Sequence, residues 1–121
     1  MRLIDNSRIV SIDREKLLER CLGIGSFADK LAHAFISTLP IERKALREAV
    51  ASNDLTQVAK QAHRMRGSAS NLCAVELSTA AEAVESAARS ECEDNVLRLF
   101  NDVESAIDRL LTEFENSDST P

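Results

Sequence analysis

Leu55, Val58, Ala62, Met65, Ala69 and Leu72 recur every three or four residues, a rhythm that only an α-helix can put on one side. At about 100° per residue they fall inside an arc of roughly 100°. Similar stripes run through the rest of the chain. Leu17, Leu18 and Cys21 mark a short helix that Asp13 can cap, with Glu15 near its positive end. Phe27, Leu31, Ala34 and Phe35, then Ala45, Leu46 and Ala49, mark a second helix over 26–51. Gly23 and Gly25 break the pattern ahead of it, and Ser26 is its expected cap. Pro40 interrupts its hydrogen bonding, but the stripe resumes almost in phase, which predicts one kinked helix; two helices broken near 38–40 are the alternative. Ser52-Asn53-Asp54 reads as a turn, with Asn53 capping a third helix over 54–72. A fourth, over about 75–90, is expected to bury Leu77, Ala80, Ala81, Val84 and Ala88. A fifth, after Glu93, is expected to bury Val96, Phe100, Val103, Ile107, Leu110 and Phe114. No segment alternates long enough to compete as a strand.

The 121 residues fit one domain, and 44% of them are hydrophobic, enough for a core. With no Trp or Tyr and only four Phe, that core must be mostly Leu, Val, Ile and Ala, which suits closely packed helices. Four long amphipathic helices with short connections predict an all-α fold: an antiparallel up-down-up-down four-helix bundle with a short additional N-terminal helix over one end. The expected layout is a lead-in over 1–12, the bundle over 13–115 and a flexible polar tail over 116–121.

A net charge of -5 argues against a general nucleic-acid or acidic-membrane binder. The charge is uneven, with Lys60, Arg64 and Arg66 around His63 and many carboxylates after Glu91, so the basic patch points to a phosphate or an acidic protein pocket. Cys21, Cys73 and Cys92 form no CxxC pair and read as ordinary buried thiols in a reducing cytosol. Nothing near Met1 looks like a signal peptide and no apolar run approaches eighteen residues, so the expectation is a cytoplasmic chain with no membrane partner. Met1 favours a free-standing protein, and a monomer is the simpler expectation.

His63 lies on the order of 130° from the middle of the third helix's apolar arc, which makes its imidazole accessible. One turn away stand Ala59, Lys60, Arg66 and Gly67, with Ser70 two turns on; the small residues leave a low surface that another protein can approach. Gly67 costs a helix about 1 kcal/mol relative to alanine, so a flat or closely packed surface is expected there. An imidazole with an ordinary pKa near 6.5 offers an unprotonated nitrogen at neutral pH and can act as a covalent nucleophile.

Around His63 the sequence resembles the histidine-containing phosphotransfer (HPt) domains of bacterial multistep phosphorelays. Their hallmark is a helical histidine followed three and four residues on by lysine and glycine, here His63, Arg66 and Gly67. Small polar residues then lead into an Asn-Leu/Ile-Gly-Ala stretch and a leucine, matched by Ser68, Ser70, Asn71, Leu72, Ala74 and Leu77. Upstream, Phe35, Leu39-Pro40 and Asn53-Asp54 sit where the family carries a phenylalanine, a leucine-proline element and a short turn. The likeness spans roughly 13–112 and is most specific over 55–77. Two positions depart: Arg66 replaces the usual lysine with a planar guanidinium, and Cys73 stands where the family has glycine.

The resemblance implies that His63 accepts a phosphoryl group from a receiver-domain aspartyl phosphate and passes it to another receiver aspartate. Arg66 and Lys60 would support the transferring oxygens electrostatically. Ala59, Arg64, Gly67, Ser70 and Ile36 would meet the partner, a response-regulator receiver domain or a hybrid histidine kinase. No cofactor would be bound stably, the receiver supplying Mg2+. With no GxxxxGK[ST] loop, autonomous ATP-dependent kinase activity is not expected.

Against that stand blander roles. A solvent-facing histidine in an arbitrary helix is usually ordinary surface, and His33, in no comparable setting, is expected to have a structural or incidental surface role. Cys73 is expected to pack rather than react, and two distant histidines are weak evidence for a metal centre. The main rival is a phosphorylation-independent helical adaptor that binds receiver or sensor proteins; a structural oligomerisation bundle is a third. A hydrolase is disfavoured because no second positioned acid or base is evident.

Overall fold

The computed structural model describes residues 12–118, with side chains described as far as Glu115. Five helices follow in order: α1 Arg14–Arg20, α2 Gly25–Ala51, α3 Leu55–Asn71, α4 Val75–Arg89 and α5 Glu93–Asp118. Among the described residues there is no strand. The expected lead-in lies, apart from Ile12, outside the described residues, and α5 continues past Phe114 to Asp118.

Helix starts follow capping chemistry in two cases. The Asp13 side chain accepts the Lys16 N–H at 3.1 Å, as expected, and opens α1. At α3 the cap is Asp54, which accepts the Gln57 N–H at 3.2 Å, and not Asn53. Asn53 instead ends the preceding helix with a left-handed φ of 57°, a conformation Asn tolerates well. Ser26 does not cap α2 either: the helix begins one residue earlier at Gly25, after Ile24, with no side-chain cap. Pro40 lies inside a continuous α2. Ser37 and Thr38, just before it, turn their hydroxyls back onto the carbonyls of Ala34 and Phe35, at 2.8 and 3.1 Å.

Four helix ends share one device. Leu22, Asn53, Cys73 and Glu91 each adopt a left-handed φ of 57–60°. The next residue then donates its N–H back five positions, as in Ala74 to Ala69 at 2.8 Å and Asp54 to Ala49 at 3.1 Å. This closure satisfies carbonyls that the helix end would otherwise leave bare, and it reverses the chain within a few residues. Neighbouring helices therefore run antiparallel.

Cross-helix contacts confirm the direction: His33 meets Phe114 and Arg43 meets Glu104, at opposite sequence trends along α2 and α5. Leu39, Leu46, Val58, Met65, Leu77, Val84, Val103, Ile107 and Leu110 form the centre of the core. The stripes expected on α3 and α5 are buried almost throughout, and on α4 Leu77, Ala81, Val84 and Ala88 are buried with Ala80 partly so. The first half of α2 differs. Phe27, Leu31 and Ala34 are exposed, whereas Ala28, Asp29, Ala32, Phe35 and Leu39 face inward. Two alanines on the inner line let α1 come close, and Asp29 is held there by Arg14 of α1 at 3.1 Å. The bulky residues of that stripe are turned outward in consequence.

Candidate phosphotransfer site

α3 is amphipathic, with Val58, Ala62, Met65 and Ala69 buried, and this fixes His63 on its outer side with the side chain 58% exposed. The ring is not free to rotate. Glu85 of α4 places Oε2 3.0 Å from His63 Nδ1. Arg66 Nη2 stands 3.0 Å from the same nitrogen, and Arg66 Nε donates to Glu85 Oε1 at 3.2 Å. Arg89, one turn after Glu85, donates twice to Oε2, at 3.1 and 3.0 Å. Nδ1 thus carries the ring's contacts, and Nε2 has no partner among the described residues.

Glu85 is the anchor of this cluster. Its side chain is 11% exposed, and burial alone pushes its carboxyl up. Hydrogen bonds from Arg89 and His63 and the charges of His63 and Arg66 outweigh that and hold it below the ordinary carboxylate range. A carboxylate surrounded by donors stays ionised, and it fixes the positions of all three. On the other flank of α3, Ser68 donates to Glu42 Oε2 at 3.4 Å while Glu42 Oε1 is buried without a partner among the described residues. Burial pushes the Glu42 carboxyl up, with Ser68 and Arg64 pulling the other way.

Of the residues singled out from sequence, Lys60, Arg64, Gly67 and Ser70 are exposed on the His63 side, and Arg66 is half-buried against Glu85. Ala59 is not on that surface: it is 5% exposed and lends little contact area to a partner. Ile36 is partly buried against the core. His33 packs edge-on against Phe114, ring centroids 4.9 Å apart, a structural role as expected. Cys21 and Cys73 are buried thiols, but Cys92 is exposed because it sits in the turn between α4 and α5.

Glu85 and Arg89 escaped the sequence reading. Their spacing of four marks a helical ion pair, and Glu85 borders the buried line of Val84 and Ala88, yet nothing in the order of residues brings α4 to His63. The absence of a second positioned acid or base, expected from the sequence, is therefore corrected: the fold supplies a carboxylate to the imidazole.

Toward the C-terminal end of α3, α2 and α3 border an open groove of about 300 Å³ lined by Leu31, Ala34, Phe35, Thr38, Ser68 and Asn71. Phe27, one turn before Leu31 on α2, is exposed as well. Among the described residues, no group of three or more His, Cys, Asp or Glu could hold a metal ion, and no helix is long and apolar enough to cross a membrane.

No curated protein and no solved structure matches the chain. The family model of the Hpt domain does match, over residues 30–116, a span that takes in most of α2 and all of α3 and α4. The matched span is well over half of the 121 residues, and the chain belongs to the Hpt, or histidine-containing phosphotransfer, domain family.

Proposed function

We propose that His63 is the residue through which this Hpt domain relays phosphoryl groups between receiver domains. The observation that carries the assignment is the exposed imidazole tethered at Nδ1, which leaves Nε2 directed away from its contacts and available to an incoming acyl phosphate. Arg66, and Lys60 one turn before His63, place positive charge where the three transferring oxygens arrive. Arg64 and Ser70 meet the partner at the rim, and Gly67 keeps the surface low enough for the partner's loops. Mg2+ belongs to the receiver's acidic pocket and enters with it.

The groove between α2 and α3, with Leu31 and Phe35 on its apolar side, supports the same reading, because docking needs contact area beyond a single imidazole. Hpt domains carry phosphoryl groups and are not autonomous kinases, so this chain acts only when a charged receiver is present. A panel of phosphorylated receivers tests the proposal. Label must appear on this chain, mass spectrometry must place it on His63, and His63→Gln must abolish it while retaining docking. Docking across the panel without transfer would overturn the assignment in favour of an adaptor.

A further inference from the structure

Lys16, Arg20, Ser70, Ser78 and Thr79 border an open cleft of about 200 Å³ where α1 meets the end of α3 and the start of α4. Each of these side chains can donate: an ammonium, a guanidinium and three hydroxyls. No carboxylate lines the cleft among the described residues. Lys16 and Arg20 are exposed and stand four apart on one side of α1, an arrangement in which like charges repel. The nearby carboxylates do not relieve them. Asp13 accepts the Lys16 backbone N–H at 3.1 Å as the cap of α1, and Glu76 pairs with Arg109 of α5 at 3.3 Å. Glu15 and Glu19 share α1 with the two cations but do not line the cleft. Ser78 turns its hydroxyl to the Arg66 carbonyl at a long 3.5 Å, a bond it can exchange for a better acceptor.

The cleft therefore gathers two positive charges and three hydroxyls with no anion of its own to meet them. Its donors come from three helices, so they surround an occupant instead of facing it from one side. That geometry suits a tetrahedral oxyanion, with acceptors in several directions, better than a planar carboxylate. A net charge of -5 on the whole chain disfavours a polyanion, which would span more than this corner. We infer that the cleft is a binding site for a phosphate dianion, free or carried by a small monoester, and that it is separate from the phosphoacceptor. Ser70 stands two turns from His63 on α3, about 10 Å along the helix axis. The described lining residues offer no nucleophile beyond the hydroxyls and the buried Cys73 thiol, so the occupant is held and not transformed. The site does not depend on the carrier role of His63.

Two-dimensional 1H–15N spectra of the full chain test the inference, with sodium phosphate titrated at pH 8 against chloride at constant ionic strength. Saturable shifts are expected at the amides of Ser70, Ser78 and Thr79, half-complete at a concentration on the order of 1 mM. Sulfate is expected to compete and chloride is not. Lys16→Ala and Arg20→Ala change exposed positions, and each is expected to weaken binding about tenfold. A parallel titration with glycerol phosphate separates the two sources of the dianion. Tighter binding than inorganic phosphate assigns the cleft to a monoester, and equal or weaker binding assigns it to the free ion. Shifts that never saturate, that centre on Lys60, His63 and Arg66, or that persist undiminished in both variants overturn the site. Failure of every receiver to label His63 leaves these spectra as they are and sinks only the carrier assignment.

Discussion

The backbone N–H of Asp13 donates to the Cys73 carbonyl at 2.8 Å, so α1 starts from the turn that joins α3 to α4. The same Cys73 holds a φ of 60° with its thiol buried. A left-handed backbone costs a residue with a Cβ about 1–2 kcal/mol, a cost glycine does not bear. Cys73→Gly is expected to be more stable than Cys73→Ala by about 1 kcal/mol although it buries less, and Cys73→Val to be the least stable of the three. Chemical unfolding of the set checks the order; an alanine variant above the glycine one would refute it.

Gly67 poses the opposite case. A Cβ built there meets no atom within 4 Å, so nothing inside the domain demands glycine. Gly67→Ala is therefore expected to stabilise the helix by about 0.5–1 kcal/mol. Transfer from a charged receiver is expected to slow, because the added methyl stands on the surface one turn from His63. A rise in Tm with unchanged transfer kinetics would remove Gly67 from the docking surface.

Two carboxylates give opposite pH signatures. The Glu85 carboxyl is held below its ordinary value, so its stabilisation is complete above about pH 4.3 and is lost as pH falls through the depressed folded value. Glu85→Gln should cost on the order of 2 kcal/mol at pH 7.5, the gap closing in acid. Glu42 is raised by burial, so its ionised form opposes folding above that raised value and the opposition disappears as pH falls through it. Glu42→Gln should raise the Tm at pH 7.5 and lose the advantage near pH 4. Unfolding curves at the two pH values separate these outcomes.

Phe27 is 48% exposed on the line leading to the α2–α3 groove. Phe27→Ser is expected to change unfolding free energy by no more than about 0.5 kcal/mol. Its expected effect is on docking, a loss of about tenfold in affinity for the charged receiver, within the range of an apolar interface anchor. Equal affinity by titration calorimetry would place the docking surface elsewhere.

The buried stripes of α3, α4 and α5 were readable because each helix has one neighbour-facing side, and a period near 3.6 betrays it. Phe27 and Leu31 misled for a related reason. Periodicity finds an apolar line without saying whether the core or a groove will receive it, and the small Ala28 and Ala32 beside it took the inner position. The Asn53 and Ser26 caps failed on the details of turn closure: a left-handed residue at the end of one helix moves the start of the next by a position.

The order of residues by itself determined a helical bundle and an accessible His63 with basic and small neighbours, because both follow from periodicity within a single helix. Which side chains from other helices surround that imidazole was decided only by the tertiary structure. The carboxylate that holds its Nδ1 lies 22 residues away on α4, and local spacing carries no information about which side chains an antiparallel neighbour brings opposite.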